Sequence, residues 1–246
     1  MIAPRRLQWL DVARGVALVA MALYHFVWDL AQFGLVPPQT PFVDPWRLLA
    51  RCVAGSFLFL VGIGLVVAHG GGIRWKAFAR RLAMIAGAAA LITVGTLVAT
   101  PDAFIFFGIL HMIALGSVVG LALLRMPLAV VALVAIAVGA LGLLYERPFF
   151  DAPSWWWTGL GTQPIRSNDL VPFFPSFAAV AAGVLVARAV DIRGRVAEGR
   201  AAAAAAPAAS IRALAFLGRH SLIVYLVHQP VLIGLLWLAL KLLGRV

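Results

Sequence analysis

Apolar stretches of about 20 residues recur along nearly the whole chain, and each is long enough to cross a bilayer as one helix. The stretches do not alternate apolar with polar residues, which favours helices over a transmembrane barrel. The 246 residues are 63% hydrophobic and 12% charged, whereas soluble domains carry roughly 25% charged residues. We therefore predict an all-α, polytopic bundle that is integral to a lipid bilayer.

Proline and glycine residues divide this bundle into seven predicted transmembrane helices. Pro37-Pro38 and the Gly70-Gly71-Gly72 run are typical of loops. The predicted spans are residues 9–30, 48–69, 82–99, 104–124, 127–145, 171–188 and 220–241. Together they would form a single transmembrane domain over residues 1–246, with an alanine-rich cytoplasmic loop at 189–212 that could be partly helical.

The positions of the basic residues predict how the bundle is oriented. Cytoplasmic loops of membrane proteins carry an excess of Lys and Arg. Most of the 20 Lys and Arg residues would lie on the same side of the membrane as the N-terminus, so we expect a cytoplasmic N-terminus. The net charge of +11 could also indicate nucleic acid, but topology accounts for it better. We predict no nucleic-acid partner.

The first predicted span carries ionisable residues near both of its ends. At 100° per residue, Asp11, Arg14, His25 and Asp29 fall on one side of the helix. Ionisable groups inside a bilayer are expensive, which makes each one a functional candidate. Arg14 and His25 are roughly 16 Å apart at the helical rise. This layout suits a long ligand with a charged head and a reactive tip.

His25 and Asp29 are spaced i, i+4, so their side chains could meet on one helix face. A carboxylate can fix the tautomer of an imidazole and favour its protonated form, as a general base requires. The alternative is a structural histidine at an aromatic belt with Tyr24 and Trp28. Arg51 enters the second span at a similar depth and is a candidate partner for Asp29.

Basic residues at the inner boundary could form an entrance for phosphate groups. Asp11 and Arg14 lie at this boundary, and the other candidates are Arg80, Arg81, Arg219 and His220. Membrane topology alone explains the loop arginines, and an ion pair alone could explain Asp11 with Arg14. Only Arg14, which lies within the span, is hard to explain without a ligand.

Two further histidines lie within predicted spans. His111 is either a second imidazole of the outer site or one half of a helix–helix hydrogen bond. Tyr225 and His228 share a face of the seventh span, and Pro230 predicts a kink beside them. A histidine this deep is expected to face the interior of the bundle, for packing or for a ligand.

Four segments in order carry a resemblance to a known family. They begin Leu10-Asp11-Val-Ala-Arg14-Gly15, Phe57-Leu-Phe-Leu-Val-Gly62, Gly108-Ile-Leu-His111 and Gly218-Arg219-His220-Ser221, and the first and last extend to His25 and to His228-Gln229-Pro230. Together the segments resemble the catalytic domain of the heparan-α-glucosaminide N-acetyltransferase family, in a short bacterial-type version. The resemblance implies acetyl-CoA as a cytoplasmic acyl donor, an extracytoplasmic acceptor that is usually a sugar, and the bacterial inner membrane as the location.

The resemblance also implies a catalytic role for His25. Related membrane enzymes that O-acetylate surface polysaccharides share the arginine and the histidine that fall here on Arg14 and His25. Lysosomal members of the closer family have a histidine in the outer loop after the first span, whereas this chain has none between His25 and His69. Amine and hydroxyl acceptors therefore both stay open.

The resulting hypothesis is a transmembrane acyltransferase without a metal. His25, oriented by Asp29, would deprotonate a glycan or small-molecule acceptor, while Arg14 and the inner basic residues hold the nucleotide phosphates. The residues expected to hold the acceptor or to stabilise the oxyanion are Arg51, His111, Tyr225 and His228. The alternatives are a proton-coupled transporter and a non-catalytic membrane assembly subunit. A homo-oligomer stays open.

Overall fold

The computed structural model describes residues 8–192, 194 and 208–245, and within these ranges the chain is helical without a β-strand. The helices are α1 Gln8–Gln32, α2 Trp46–His69, α3 Trp75–Ala99, α4 Ile109–Leu123, α5 Leu128–Leu144, α6 Phe173–Ala189, α7 Ala209–Arg219 and α8 Ser221–Leu242. The predicted alanine-rich stretch at 201–206 lies outside the described residues.

Four helices, α1, α2, α3 and α8, are long and apolar enough to cross a membrane. Three further apolar helices, α4, α5 and α6, have 15 to 17 residues. The prediction of an integral, all-helical membrane protein is therefore confirmed, and every predicted span coincides with an apolar helix. Helix α3 begins at Trp75, seven residues before the predicted start. Its first turns contain Lys76, Arg80 and Arg81, whose charges concealed them.

Helix α7 begins within the predicted loop at 189–212, for which the sequence left partial helicity open. This helix of 11 residues begins at Ala209, because its sequence is rich in the strong helix formers Ala, Leu and Arg. A single residue, His220, separates it from α8. Helix α8 continues through Pro230, so the proline interrupts one hydrogen bond but does not end the helix.

The helices form two compact units. The first contains α1, the first turns of α2, α7 and α8, and the second contains the rest of α2 together with α3, α4, α5 and α6.

In the first unit, two glycines let the backbone of α7 approach the backbone of α1. A Cβ atom at Gly15 would overlap the carbonyl oxygen of Leu214, and one at Gly218 would overlap the carbonyl oxygen of Asp11. Ala215 lies between these two contacts and is 1% exposed. Small residues therefore hold the face of α7 directly against the beginning of α1.

In the second unit, α2 and α6 cross through a reciprocal pair of glycines. A Cβ atom at Gly62 would overlap the carbonyl oxygen of Val180, and one at Gly183 would overlap that of Phe59. Phe177, one turn before Val180, is fully buried beside this crossing. The crossing forms the closely packed centre of the unit.

The connection between α5 and α6, residues 145–172, is ordered by the carboxylate of Asp151. The backbone N–H and the hydroxyl of Thr162 donate to Asp151 at 2.6 and 2.8 Å, and the N–H of Gln163 donates at 3.2 Å. The indole of Trp156 donates to the Asp151 carbonyl at 2.8 Å. The Thr162 hydroxyl and the two N–H groups hold the pKa of Asp151 below its ordinary value.

Candidate active site

Helices α1 and α8 bring two histidines together. Nε2 of His228 lies 3.2 Å from Nδ1 of His25, although the residues are 203 positions apart in the sequence. Their ring centroids are 4.7 Å apart, and the ring planes meet at 61°. The sequence identified each histidine as a candidate but did not predict that they form a pair.

Carbonyl oxygens determine the tautomers of this pair. Nδ1 of His228 lies 2.6 Å from the carbonyl oxygen of Tyr225, which can only accept, so we assign the proton of His228 to Nδ1. Nε2 of neutral His228 is then an acceptor, and Nδ1–H of His25 is its donor. The carbonyl oxygen of Met21, 3.1 Å from the same Nδ1, is a second acceptor for that proton.

This assignment leaves Nε2 of His25 with a lone pair. In the part of the chain that the structure describes, no group hydrogen-bonds to that nitrogen. An imidazole in this state can take a proton from a bound nucleophile. The positive charge that would then develop on His25 is shared with His228 through the Nδ1–H bond.

Asp29 does not form the expected pair with His25. The carboxylate is 1% exposed, and its Oδ1 accepts a short hydrogen bond from the side-chain amide of Gln229. The ring of His25 instead turns back toward Met21 and pairs with His228. Two consecutive residues of α8 thus meet two residues that lie one turn apart on α1. Asp29 thus contacts Gln229 where a contact with His25 was expected, and a catalytic role for Asp29 stays a prediction.

Arg51 does not pair with Asp29 either. Its side chain is exposed, while Asp29 is buried and contacts Gln229. Gln229 was missed as a site residue, although it directly follows His228 in the sequence. Its adjacency to His228 was the available signal, but only the packing of α8 on α1 shows which carboxylate it meets.

A second feature of the same unit is a polar cavity of about 290 Å³ at the beginning of α1. The residues that line it are Gln8, Asp11, Arg212, Ala215 and Arg219. Arg14 donates to Asp11 at 3.4 Å and so joins the edge of this set. Two guanidinium groups on one helix face can bind a phosphate group from two directions.

The cavity includes some of the predicted phosphate-binding residues and adds another. Asp11 and Arg219 line it, and Arg14 contacts it through Asp11. Arg212 was missed, although its spacing of seven from Arg219 places both on one face of a helix. The predicted loop ended at Arg212, so the helix that joins Arg212 to Arg219 was not predicted.

The other predicted phosphate ligands lie elsewhere. His220 is exposed, and its Nδ1 lies 2.9 Å from the carbonyl oxygen of Phe216 in its own segment. Arg80 and Arg81 are exposed residues of α3 in the second unit. None of these three lines the cavity.

His111 uses both ring nitrogens to join α3 to α4. The N–H of Gly108 donates to Nδ1 at 3.2 Å, so the proton of His111 lies on Nε2. That Nε2–H donates to the hydroxyl of Thr93 at 3.2 Å, and Thr93 donates to the carbonyl oxygen of Ile105 at 2.7 Å. The geometry therefore favours a helix–helix hydrogen bond over a role in binding the acceptor.

Among residues 8–192, 194 and 208–245, no three His, Cys, Asp or Glu side chains converge as a metal-binding group would require. The candidate site consists of the histidine pair, the Asp29–Gln229 pair and the arginine-lined cavity, and all three lie on α1, α7 and α8.

These features define an integral membrane protein with a part-buried histidine pair and an arginine-lined polar cavity on one group of helices. The family model described as heparan-alpha-glucosaminide N-acetyltransferase, catalytic, matches residues 6–230, and the chain belongs to this family of acetyltransferases. The resemblance carried by the four sequence segments is thereby confirmed. Comparisons with curated proteins and with solved structures give no significant match.

Proposed function

We propose that this protein transfers an acetyl group from acetyl-CoA to an acceptor on the far side of the membrane. The family supports acetyl transfer, and its name supports a sugar amine as the acceptor. The observation that carries the proposal is the free Nε2 of His25, whose tautomer is set by His228 and Tyr225. A hydroxyl acceptor would use the same geometry.

In the proposed reaction, Nε2 of His25 removes a proton from the acceptor as its nitrogen or oxygen attacks the thioester carbonyl. The bond from the acceptor to the acetyl carbon forms, and the bond from that carbon to sulfur breaks. The proton on His25 then passes to the leaving thiolate, which gives free CoA and the acetylated product. His228 stabilises the transient imidazolium by accepting from its Nδ1–H.

The arginine-lined cavity would hold the phosphates of CoA. Arg212 and Arg219 supply planar guanidinium groups, and Asp11 orients Arg14 beside them. The thioester arm would extend along α1, over the roughly 16 Å of helical rise that separates Arg14 from His25. In this arrangement the cavity opens to the cytoplasm of a bacterial cell, and His25 lies toward the outer surface.

Radiolabelled acetyl-CoA tests the proposal directly. The purified protein in detergent is mixed with labelled acetyl-CoA and glucosamine, and acetylated product is counted. We expect His25→Ala to lower kcat by about 10²- to 10⁴-fold, the range for loss of a general base. Leu23→Ala, which changes an exposed residue of the same helix, is the control. Normal transfer by a folded His25→Ala protein would refute the assignment of the base.

The histidine pair would also suit a proton relay, which keeps a proton-coupled transporter as the second candidate. The same assay separates the two functions. A transporter would neither acetylate an acceptor nor hydrolyse acetyl-CoA, whereas the enzyme would do at least one of these.

A further inference from the structure

The side chains of Asp29 and Gln229 leave two buried oxygens without partners. Oδ1 of Asp29 accepts from the Gln229 amide, but Oδ2 of Asp29 and Oε1 of Gln229 have no hydrogen-bond partner among the described residues. Asp29 is 1% exposed, so bulk water does not compensate its carboxylate. Buried polar groups are almost always paired, so each oxygen calls for a donor.

The described residues supply no cation for this carboxylate. The ion pairs of the first unit join Arg14 to Asp11 and Arg47 to Asp44, and none includes Asp29. The free nitrogen of His25, one helical turn away, is also an acceptor. Two unpaired oxygens in contacting side chains, one helical turn from an imidazole nitrogen, are complementary to a ligand that presents several N–H or O–H groups.

We propose that Asp29 and Gln229 position the acceptor and select it by the donors that neighbour its reacting group. This inference rests on the proposed acetyl transfer and assigns a separate role within the same site. His25 takes the proton from the reacting nitrogen or oxygen, while Oδ2 of Asp29 and Oε1 of Gln229 accept from adjacent hydroxyl or amine groups. An acceptor with one donor leaves these two oxygens unpaired and binds less well.

Two acceptors of matched shape test this selection. Glucosamine and cyclohexylamine both carry a primary amine on a six-membered ring, but only glucosamine has hydroxyl groups beside it. The measured quantity is the ratio of kcat/KM for the two amines, compared between the wild-type protein and its variants. The different intrinsic reactivities of the amines cancel in that comparison.

Asp29→Asn and Gln229→Met are the informative variants. Asn keeps one acceptor for the Gln229 amide but can present an N–H where Oδ2 accepted, and Met keeps the length of Gln without its oxygen. We expect each variant to lower the preference for glucosamine roughly tenfold, mainly through KM, as loss of about one hydrogen bond to the acceptor predicts. Gln32→Met, which changes an exposed glutamine at the end of α1, should leave the preference unchanged.

Hydrolysis of acetyl-CoA without an acceptor distinguishes positioning from misfolding. Attack by water needs His25 but not donors that neighbour the attacking group, so hydrolysis should fall less than transfer to glucosamine in both variants. An unchanged preference in variants that still transfer acetyl groups, or a loss of hydrolysis in step with transfer, would overturn the positioning role. Absence of both transfer and hydrolysis in the wild type would instead overturn the proposed function.

Discussion

At the scale of single residues, the carbonyl oxygen of Tyr225 decides the chemistry of a histidine on another helix. It fixes the proton of His228 on Nδ1, and Nε2 of His228 then accepts a hydrogen bond from Nδ1–H of His25. In the proposed reaction, His228 would occupy the place that a carboxylate takes in a catalytic triad, where the third group orients the base and stabilises its charged form. An imidazole does this without adding a negative charge to an apolar site.

Replacement of His228 tests that role. His228→Phe keeps a ring of similar size but removes the acceptor for His25 Nδ1–H, so we expect kcat to fall by about 10- to 100-fold, in keeping with the loss of one charge-assisted hydrogen bond. The KM for acetyl-CoA should change little, because His228 lies outside the arginine-lined cavity. His228→Gln, which can still accept, should restore part of kcat in steady-state assays. Equal kcat in both variants would contradict an orienting bond.

At the scale of elements, the glycines of α1 and α7 determine where the arginine-lined cavity forms. The backbone of α7 lies against that of α1 at Leu214 and Gly218, and these two contacts flank Ala215, which lines the cavity. Backbone atoms cannot rotate away as side chains can, so this spacing leaves no room for a larger residue.

Gly218→Ala is therefore expected to separate α7 from α1. The added methyl group meets the carbonyl of Asp11, and overpacking of this kind costs about 1–3 kcal/mol. We expect a lower melting temperature in detergent and weaker binding of acetyl-CoA, measured by titration. Gly234→Ala in α8 adds the same methyl group to open space and should be neutral or slightly stabilising. Equal behaviour of the two variants would show that the close approach does not matter.

The loop between α5 and α6 has a pH dependence whose sign follows from Asp151. The pKa of Asp151 is lowered by its bonds to Thr162 and Gln163, so the ionised carboxylate stabilises the folded loop. This contribution is fully present above the ordinary pKa of 3.8 and is lost as the pH falls through the lowered value. We expect cleavage of the loop by an acid-active protease to accelerate as the pH falls through the lowered pKa of Asp151. Asp151→Asn should remove this acceleration. A rate independent of pH in the wild type would contradict this.

Local patterns account for what could be predicted, and contacts between distant segments account for the rest. Apolar runs identified the apolar helices of the described residues, including the four that are long enough to cross a membrane, because hydropathy is a property of consecutive residues. The same runs could not show that His25 meets His228, since that contact joins positions 203 apart. The i, i+4 rule predicts Asp29 as the partner of His25 because it considers one helix alone. In the structure, His228 and Gln229 of α8 contact these two side chains instead.

Charge misled the prediction in two other places. The basic first turns of α3 were assigned to a loop, and Arg212 of α7 was assigned to the tether at 189–212. An arginine in a membrane protein is equally compatible with a loop, an interfacial helix or a phosphate ligand. The packing of Gly218 on Asp11 shows that Arg212 and Arg219 belong to a helix that lies against α1 and lines a cavity with it.

At the scale of the whole molecule, the proposed orientation can be checked without activity. The chain contains one cysteine, Cys52, which Cys52→Ser removes. In that background Gln163→Cys places a thiol in the exposed α5–α6 loop, and Lys76→Cys places one at the exposed start of α3. With a cytoplasmic N-terminus and seven spans, a membrane-impermeant maleimide added to intact cells should label the first and not the second. The reverse labelling pattern would show that the bundle has the opposite orientation in the membrane.

The site residues lie on helices that the ribosome makes at very different times. His25 is synthesised before α2 through α6, and His228 and Gln229 only after them. Until α8 is synthesised, His25 lacks its partner His228 and Asp29 lacks its partner Gln229. We therefore expect the reactivity proposed for His25 to require that α8 has docked beside α1.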